Sequence, residues 1–214
     1  MSKQTMVRWS GFSLILAGAL MALGTVIHPS NETPQTILAQ EARLISGHWM
    51  LTFYCAFLLL GLPGIYAAHS MELGRNGLAG FILLFFGTLF YAVSGDYGFN
   101  APVLARIAPQ ALNAINAYPP VAIMDGLMIL FMFPGFILFG IAIQRSQVIP
   151  FGAGILIAIG WPLFIIASAL SILVFESFWY VAILGSILGG AGIAWVGYTA
   201  WAVKRESVLQ TADS

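Results

Sequence analysis

Residues 9–27, WSGFSLILAGALMALGTVI, form an apolar run with no charged side chain. As a helix rising 1.5 Å per residue the run spans about 28 Å, enough to cross the hydrocarbon core of a bilayer. It ends at His28-Pro29, where the proline disfavours further helix. The alternative for this run is a cleaved signal peptide, with small residues around Ala19 and Ala22 as a processing site. The run exceeds the usual apolar core of such a peptide, about 7–15 residues, which favours a retained first span.

Five further apolar runs follow, at 48–68, 77–94, 121–143, 151–174 and 178–203. They are continuous rather than alternating, so they predict helices and not the strands of a barrel. Composition agrees. Of the 214 residues 60% are hydrophobic and 7% charged, with a mean hydropathy of +0.93, too few polar groups to coat a water-facing globule. Lipid must be the solvent for most of the surface, and each backbone group must then be paired inside its own helix. The expected fold is all-α: an integral membrane bundle of six transmembrane helices over 1–203, with two short interfacial helices in the longer loops and a polar tail over 204–214.

The loops over 30–47 and 95–120 carry those interfacial helices. In the first, Thr33 suits an N-cap, Pro34 the first helical position and Gly47 the C-terminal stop. Ile37, Leu38, Glu41, Leu44 and Ile45 repeat between them at helical spacing. Glu41 therefore falls on the apolar face, where it either reaches water at the edge or meets a polar partner. In the second loop Leu104, Ile107, Ala108, Ala111, Leu112 and Ile115 share a face, and Pro109 breaks the segment. Tyr97, Phe99 and Tyr118 suit the headgroup level. Pro63, Pro134 and Pro162 predict kinks inside spans two, four and five. LGLPGIYAAH at 60–69 and FMFPGFILFG at 131–140 form a faint internal repeat, either a parallel duplication or chance likeness between proline-bearing spans.

With six crossings both termini share one side. That side collects Lys3, Arg8, Arg75, Arg145, Lys204 and Arg205, against Arg43 and Arg106 opposite, which places the termini in the cytoplasm of a multi-pass protein of the cell (inner) membrane. The acidic residues sort in the other sense. Glu32, Glu41, Asp96, Asp125 and Glu176 fall on the extracytoplasmic side together with His28 and His48. The candidate ligand-binding residues are His28, Glu41, His48, Asp96 and Asp125, and the candidate metal ligands are His28, His48 and Asp125.

Two imidazoles with a carboxylate suit zinc or another divalent first-row metal. A pair of imidazoles can instead serve as axial ligands of a haem, and a carboxylate with histidine can relay protons or hold a small polar ligand. Helix capping at the interface is the structural alternative for both histidines. Asp125, in VAIMDGLMIL, sits below the interface, where an ionised carboxylate facing lipid is costly. It should face the bundle, with His28, His48, Arg43 or Arg106 as partner, unless the helix N-terminus alone stabilises it. Asp96, in SGDYGFN, suits a turn, and Glu176, in LVFESFWY, a solvated one. Asp96 and Asp125 as an intramembrane hydrolase pair form a minor alternative, weakened because Gly95-Asp96 lacks the Gly-x of a GxGD pattern.

The net charge of zero gives no basis for nucleic-acid binding. The lone Cys55 forms no internal disulfide. The glycines of GSILGGAG at 185–192 predict close helix packing, within the chain or in a homo-oligomer. Two functions follow: a binding or transport protein with an outer pocket for a metal, haem or small polar ligand, or a structural or accessory subunit of a larger membrane complex.

Overall fold

The computed structural model describes residues 2–95, 97–116 and 118–202. Asp96 and the 203–214 tail, with Lys204 and Arg205, lie outside the described residues. Those described form helices α1 (Lys3–Ile27), α2 (Pro34–Ala39), α3 (Glu41–Ser94), α4 (Tyr97–Ile107), α5 (Pro109–Asn116), α6 (Pro119–Ser146), α7 (Phe151–Leu173) and α8 (Phe178–Trp201), and no strand. Five helical stretches are long and apolar enough to cross a membrane.

One of them contains a hairpin. α3 leaves helical dihedrals at His69 and at Gly74, where φ is +59°. Tyr66 and Phe81 stack with ring centroids 4.9 Å apart, although a straight helix would separate them by about 22 Å. The chain therefore reverses between two antiparallel arms, 41–68 and 75–94, and the bundle has six legs. Only glycine takes a positive φ without strain, which explains why the reversal falls at Gly74. Helical dihedrals continue through Pro63, Pro134 and Pro162.

Large apolar side chains at mid-helix point outward, among them Leu60 (66% exposed), Leu130 (64%) and Ile159 (54%), as lipid-facing positions require. The interior is organised around Trp161 on α7, which stacks on Phe136 of α6 at 4.6 Å and meets Tyr54 and Tyr91 from the two arms of α3. Small residues set the crossings. A Cβ on Gly18 of α1 would fall 2.1 Å from the Gly190 carbonyl oxygen of α8, and one on Gly11 would fall 2.5 Å from that of Gly197. Without a hydrophobic force between helices in lipid, such close backbone approach supplies the dispersion contacts that hold legs together.

The loops depart from expectation in where the first helix ends and in Ile107, which is 75% exposed rather than on the buried face. Thr33 does cap α2, accepting from the Thr36 amide at 3.2 Å, and Pro34 is its first residue. The helix does not stop at Gly47, however. It breaks at Gln40 and restarts as the first arm of α3, which runs through Gly47 into the membrane. Gly47 serves a crossing instead: a Cβ there would meet the His28 Cβ at 3.2 Å. The second loop holds two helices, α4 and α5, parted at Ala108 next to Pro109. Ile37, Leu44, Ala101, Ala105 and Leu112 form a small second core that fastens α2, α4 and α5 over one end of the bundle.

Gly18→Ala is expected to lower stability by about 1–3 kcal/mol, because the added methyl meets backbone that cannot yield. Gly126→Ala, where nothing lies within 4 Å of the new Cβ, is expected to be neutral or slightly stabilising. Thermal unfolding of both variants in mild detergent checks the contrast, and equal losses would contradict it.

Candidate functional site

The covered end of the bundle gathers the histidines. α1 ends at Ile27, and α3 begins beside it. Arg43 ties the two together by donating from Nε to the Ile27 carbonyl at 3.0 Å, so one orphan acceptor of the last turn of α1 is satisfied. Gly24 and Gly47 sit at the crossing, where a Cβ on Gly24 would touch Leu51 and Met50 at 3.1 Å. With no side chains between the backbones, His28 and His48 are pressed together. Their Nε2 atoms are 3.2 Å apart, with ring centroids at 4.9 Å and ring planes at 68°.

Each imidazole is oriented through further contacts. His28 Nδ1 lies 2.8 Å from the Pro29 carbonyl oxygen. A carbonyl only accepts, so Nδ1 carries the proton and Nε2 presents its lone pair. The Gly95 backbone provides a hydrogen-bond acceptor beside the His48 ring. Gly98 of α4 packs directly on that ring: a Cβ there would fall 2.0 Å from His48 Nε2. Phe99 and Trp179 wall the pair, with ring centroids 5.8 Å from His48 and His28 respectively. Phe99 thus covers the site rather than standing free at the headgroup level.

The third member is Glu32. Its Oε1 lies 3.5 Å from His28 Nε2, and donor atoms of His28, Glu32 and His48 all fall within 4.8 Å of one another. Burial pushes the Glu32 carboxyl above its ordinary range, and His28 beside it opposes the shift. The loop bearing Glu32 is latched from the turn that leads into the neighbouring α8. Glu176, in the turn between α7 and α8, accepts hydrogen bonds from the Ser30 hydroxyl and, at 2.9 Å, from Asn31 Nδ2. Those two bonds, Ser30's first, hold the exposed Glu176 carboxyl below its ordinary range. Glu176 is therefore a fastening of the His28–Glu32 segment rather than a merely solvated turn residue.

The remaining expected residues separate. Asp125 lines the same cavity as His28, Glu32 and His48, a space of about 420 Å³. It stands outside the donor cluster, so the carboxylate that joins the two imidazoles is Glu32. Ser94 lies beside Asp125. Arg43 and Arg106, considered as its partners, are engaged elsewhere, Arg43 with Ile27 and Gln40 and Arg106 in an ion pair with Glu41. Glu41 is thereby accounted for at the surface, 39% exposed, and does not line the cavity. Asp96 lies outside the described residues. Glu32 was the residue sequence reasoning passed over as a ligand. Its signal is the spacing in HPSNE, where His28 and Glu32 stand four residues apart.

Chemically, the three donors match a metal centre better than an axial pair. Ligands about 2.0–2.1 Å from a tetrahedral ion lie about 3.3 Å from each other, whereas two nitrogens on opposite sides of one ion lie about 4 Å apart. The separations of 3.2 and 3.5 Å fit ligands side by side on one ion and leave no gap for a haem plane between the imidazoles. Comparison with known proteins adds no identity: no family model, no curated protein and no solved structure matches the chain.

Gly98→Ala is expected to leave the bundle folded and to displace the His48 ring, since a side chain yields where backbone cannot. The check is the imidazole-to-imidazole cross-peak between His28 and His48 in nuclear magnetic resonance spectra of the detergent-solubilised protein. The peak should weaken in the variant, and an unchanged peak would show that α4 does not position the ring.

Proposed function

We propose that this membrane-spanning protein binds a divalent first-row metal, zinc by preference, through His28 Nε2, His48 Nε2 and Glu32, at the mouth of an internal ligand cavity. The observation that carries this reading is the mutual spacing of the three donor atoms, with His28 Nε2 3.2 Å from one and 3.5 Å from the other. Two neutral imidazoles and a carboxylate form a donor set suited to zinc. The Pro29 carbonyl on His28 Nδ1 is the kind of outer contact that fixes a ligating tautomer. Three protein ligands leave a fourth position for water or a bound molecule.

Binding is favoured over conduction across the bilayer. Beyond the cavity the interior closes on the large side chains of Trp161, Tyr54, Phe136 and Leu84, each at most 1% exposed. Orientation is part of the proposal. Lys3, Arg8, Arg75 and Arg145 lie at the end opposite His28 and His48, which supports cytoplasmic termini and an extracytoplasmic metal centre in the cell membrane.

Protein purified in mild detergent is expected to retain one zinc per chain by elemental analysis. His48→Ala should abolish it, and Glu32→Gln should weaken affinity at least about tenfold. Asp125→Asn, outside the donor cluster, should keep the metal. Metal-free wild type after incubation with excess zinc would end this reading.

Protons compete with the metal for the same groups. Burial raises the Glu32 carboxyl, so in the metal-free protein its stabilising protonated form is fully present at acid pH and is lost as pH rises through the raised value. Zinc replaces that proton. The rise in melting temperature on adding zinc should therefore grow as pH rises through the raised Glu32 value, where that carboxylate becomes free to ligate. A zinc effect that shrinks over this rise would place the ion elsewhere.

A further inference from the structure

Two spaces of opposite character share the wall that carries His28. On one side is a recess of about 530 Å³ lined by Ser30, Gln40, Arg43 and Glu176 as well as His28 and Trp179, polar and open to the outside. On the other is the cavity of about 420 Å³, most of whose lining is apolar, including Leu51, Cys55, Met128 and Phe164. Two members of that lining face outward as well. Ile129 on α6 is 42% exposed and Ile172 on α7 is 83% exposed, so the cavity opens between these helices onto the surface that lipid covers. An ion on His28, Glu32 and His48 would stand where a route from water meets a route from lipid.

The apolar cavity also holds the polar groups of Ser168 and Asp125, the second next to Ser94. The Ser168 hydroxyl is buried and has no hydrogen-bond partner. Asp125 is ion-paired with no cation among the described residues. A space of this size with an apolar body and few polar groups suits a small amphiphile. A carboxylate lining the same cavity as a three-ligand metal with an open position is the equipment of metal-assisted hydrolysis.

We propose, on the premise of the metal centre above, that the protein hydrolyses single-chain acyl esters or amides entering from the bilayer. The chain would lie against Met128, Ile129 and Phe164, with the acyl carbonyl turned to the ion. An ion held by His28, Glu32 and His48 would bring the pKa of a bound water to about 7, and Asp125 would accept the proton of that water. The hydroxide adds to the acyl carbon. The C–O or C–N bond breaks, and Asp125 returns the proton to the departing oxygen or nitrogen. The products are an alcohol or amine and a carboxylic acid that releases its proton to water, with no change of oxidation state. Ser168, whose buried hydroxyl lines the same cavity, would donate to the carbonyl oxygen.

The test uses full-length protein in detergent, loaded with zinc, and two probes, nitrophenyl octanoate and octanoyl nitroanilide. Wild type should hydrolyse at least one of them about 100-fold or more faster than Asp125→Asn, with one zinc bound in each. Ile129→Trp, which narrows the entrance, should slow the octanoyl probe while sparing nitrophenyl acetate. Zinc bound in both proteins with no difference in rate on either probe would overturn the hydrolase assignment and leave the metal centre standing. No zinc in wild type would remove both. An Ile129→Trp variant equally slow on acetate and octanoate would overturn the entry route from lipid.

Discussion

The structure depends on how closely α1 can approach its neighbours. In lipid, apolar side chains gain little by leaving the solvent, so helices associate where backbones can touch. α1 meets α8 through Gly11 and Gly18, and meets α3 through Gly24. The second approach has a chemical result, because it lies within one turn of His28 and His48. At an ordinary interaxial distance of about 8–10 Å, two histidines on neighbouring helices need not touch. With Gly24 and Gly47 at the crossing their Nε2 atoms come to 3.2 Å. The packing rule that holds the bundle together is thus also the rule that builds the site.

Around that contact the protein has spent polar groups where a bilayer makes them expensive. His28 is 8% exposed, and its neighbours are chosen to fix it. Pro29 supplies an acceptor without an amide of its own to satisfy, and Gly98 gives the His48 ring a flat seat. Glu32 is held indirectly, through Ser30 and Asn31 on Glu176. That latch joins neighbouring legs in space but spans most of the chain in sequence, so the Glu32 loop is referenced to the turn between α7 and α8 as well as to α1. A short loop with proline at one end and two side-chain bonds at its middle pays its ordering entropy once, on folding, rather than each time an ion arrives.

The six legs were legible because length and unbroken hydropathy are global properties of each run, insensitive to errors of a few residues. The segregation of histidines and carboxylates from most of the basic residues followed from topology alone. What failed to show was set by tertiary contact. Gly47 has the composition of a helix stop, but α1 needed a small residue there, and the helix continued. Glu41 looked misplaced on an apolar face until α4 brought Arg106 to it. Glu32 carries no periodicity because it sits between helices, where neither the 3.6-residue repeat nor hydropathy says which way a side chain turns. Its direction comes from Glu176, 144 positions later in the chain.

The two carboxylates of the cavity show how position divides labour between like groups. Glu32 follows His28 by four residues on a latched loop, so its reach is bound to that of the imidazole, and it can only be a companion donor. Asp125 comes from a different leg, near the start of α6, with Ser94 of α3 as its neighbour. Its distance from the donor cluster is governed by how α6 packs on α3, independently of the α1–α3 crossing that makes the histidine pair. A carboxylate that ligates a metal loses its freedom to exchange protons, whereas one on a separate element keeps it. Had Asp125 been the third member of the donor cluster, the cavity would hold no carboxylate apart from it. With Glu32 in that place, the bundle presents a cluster of three donors and a second acidic group facing one space from two separately positioned supports.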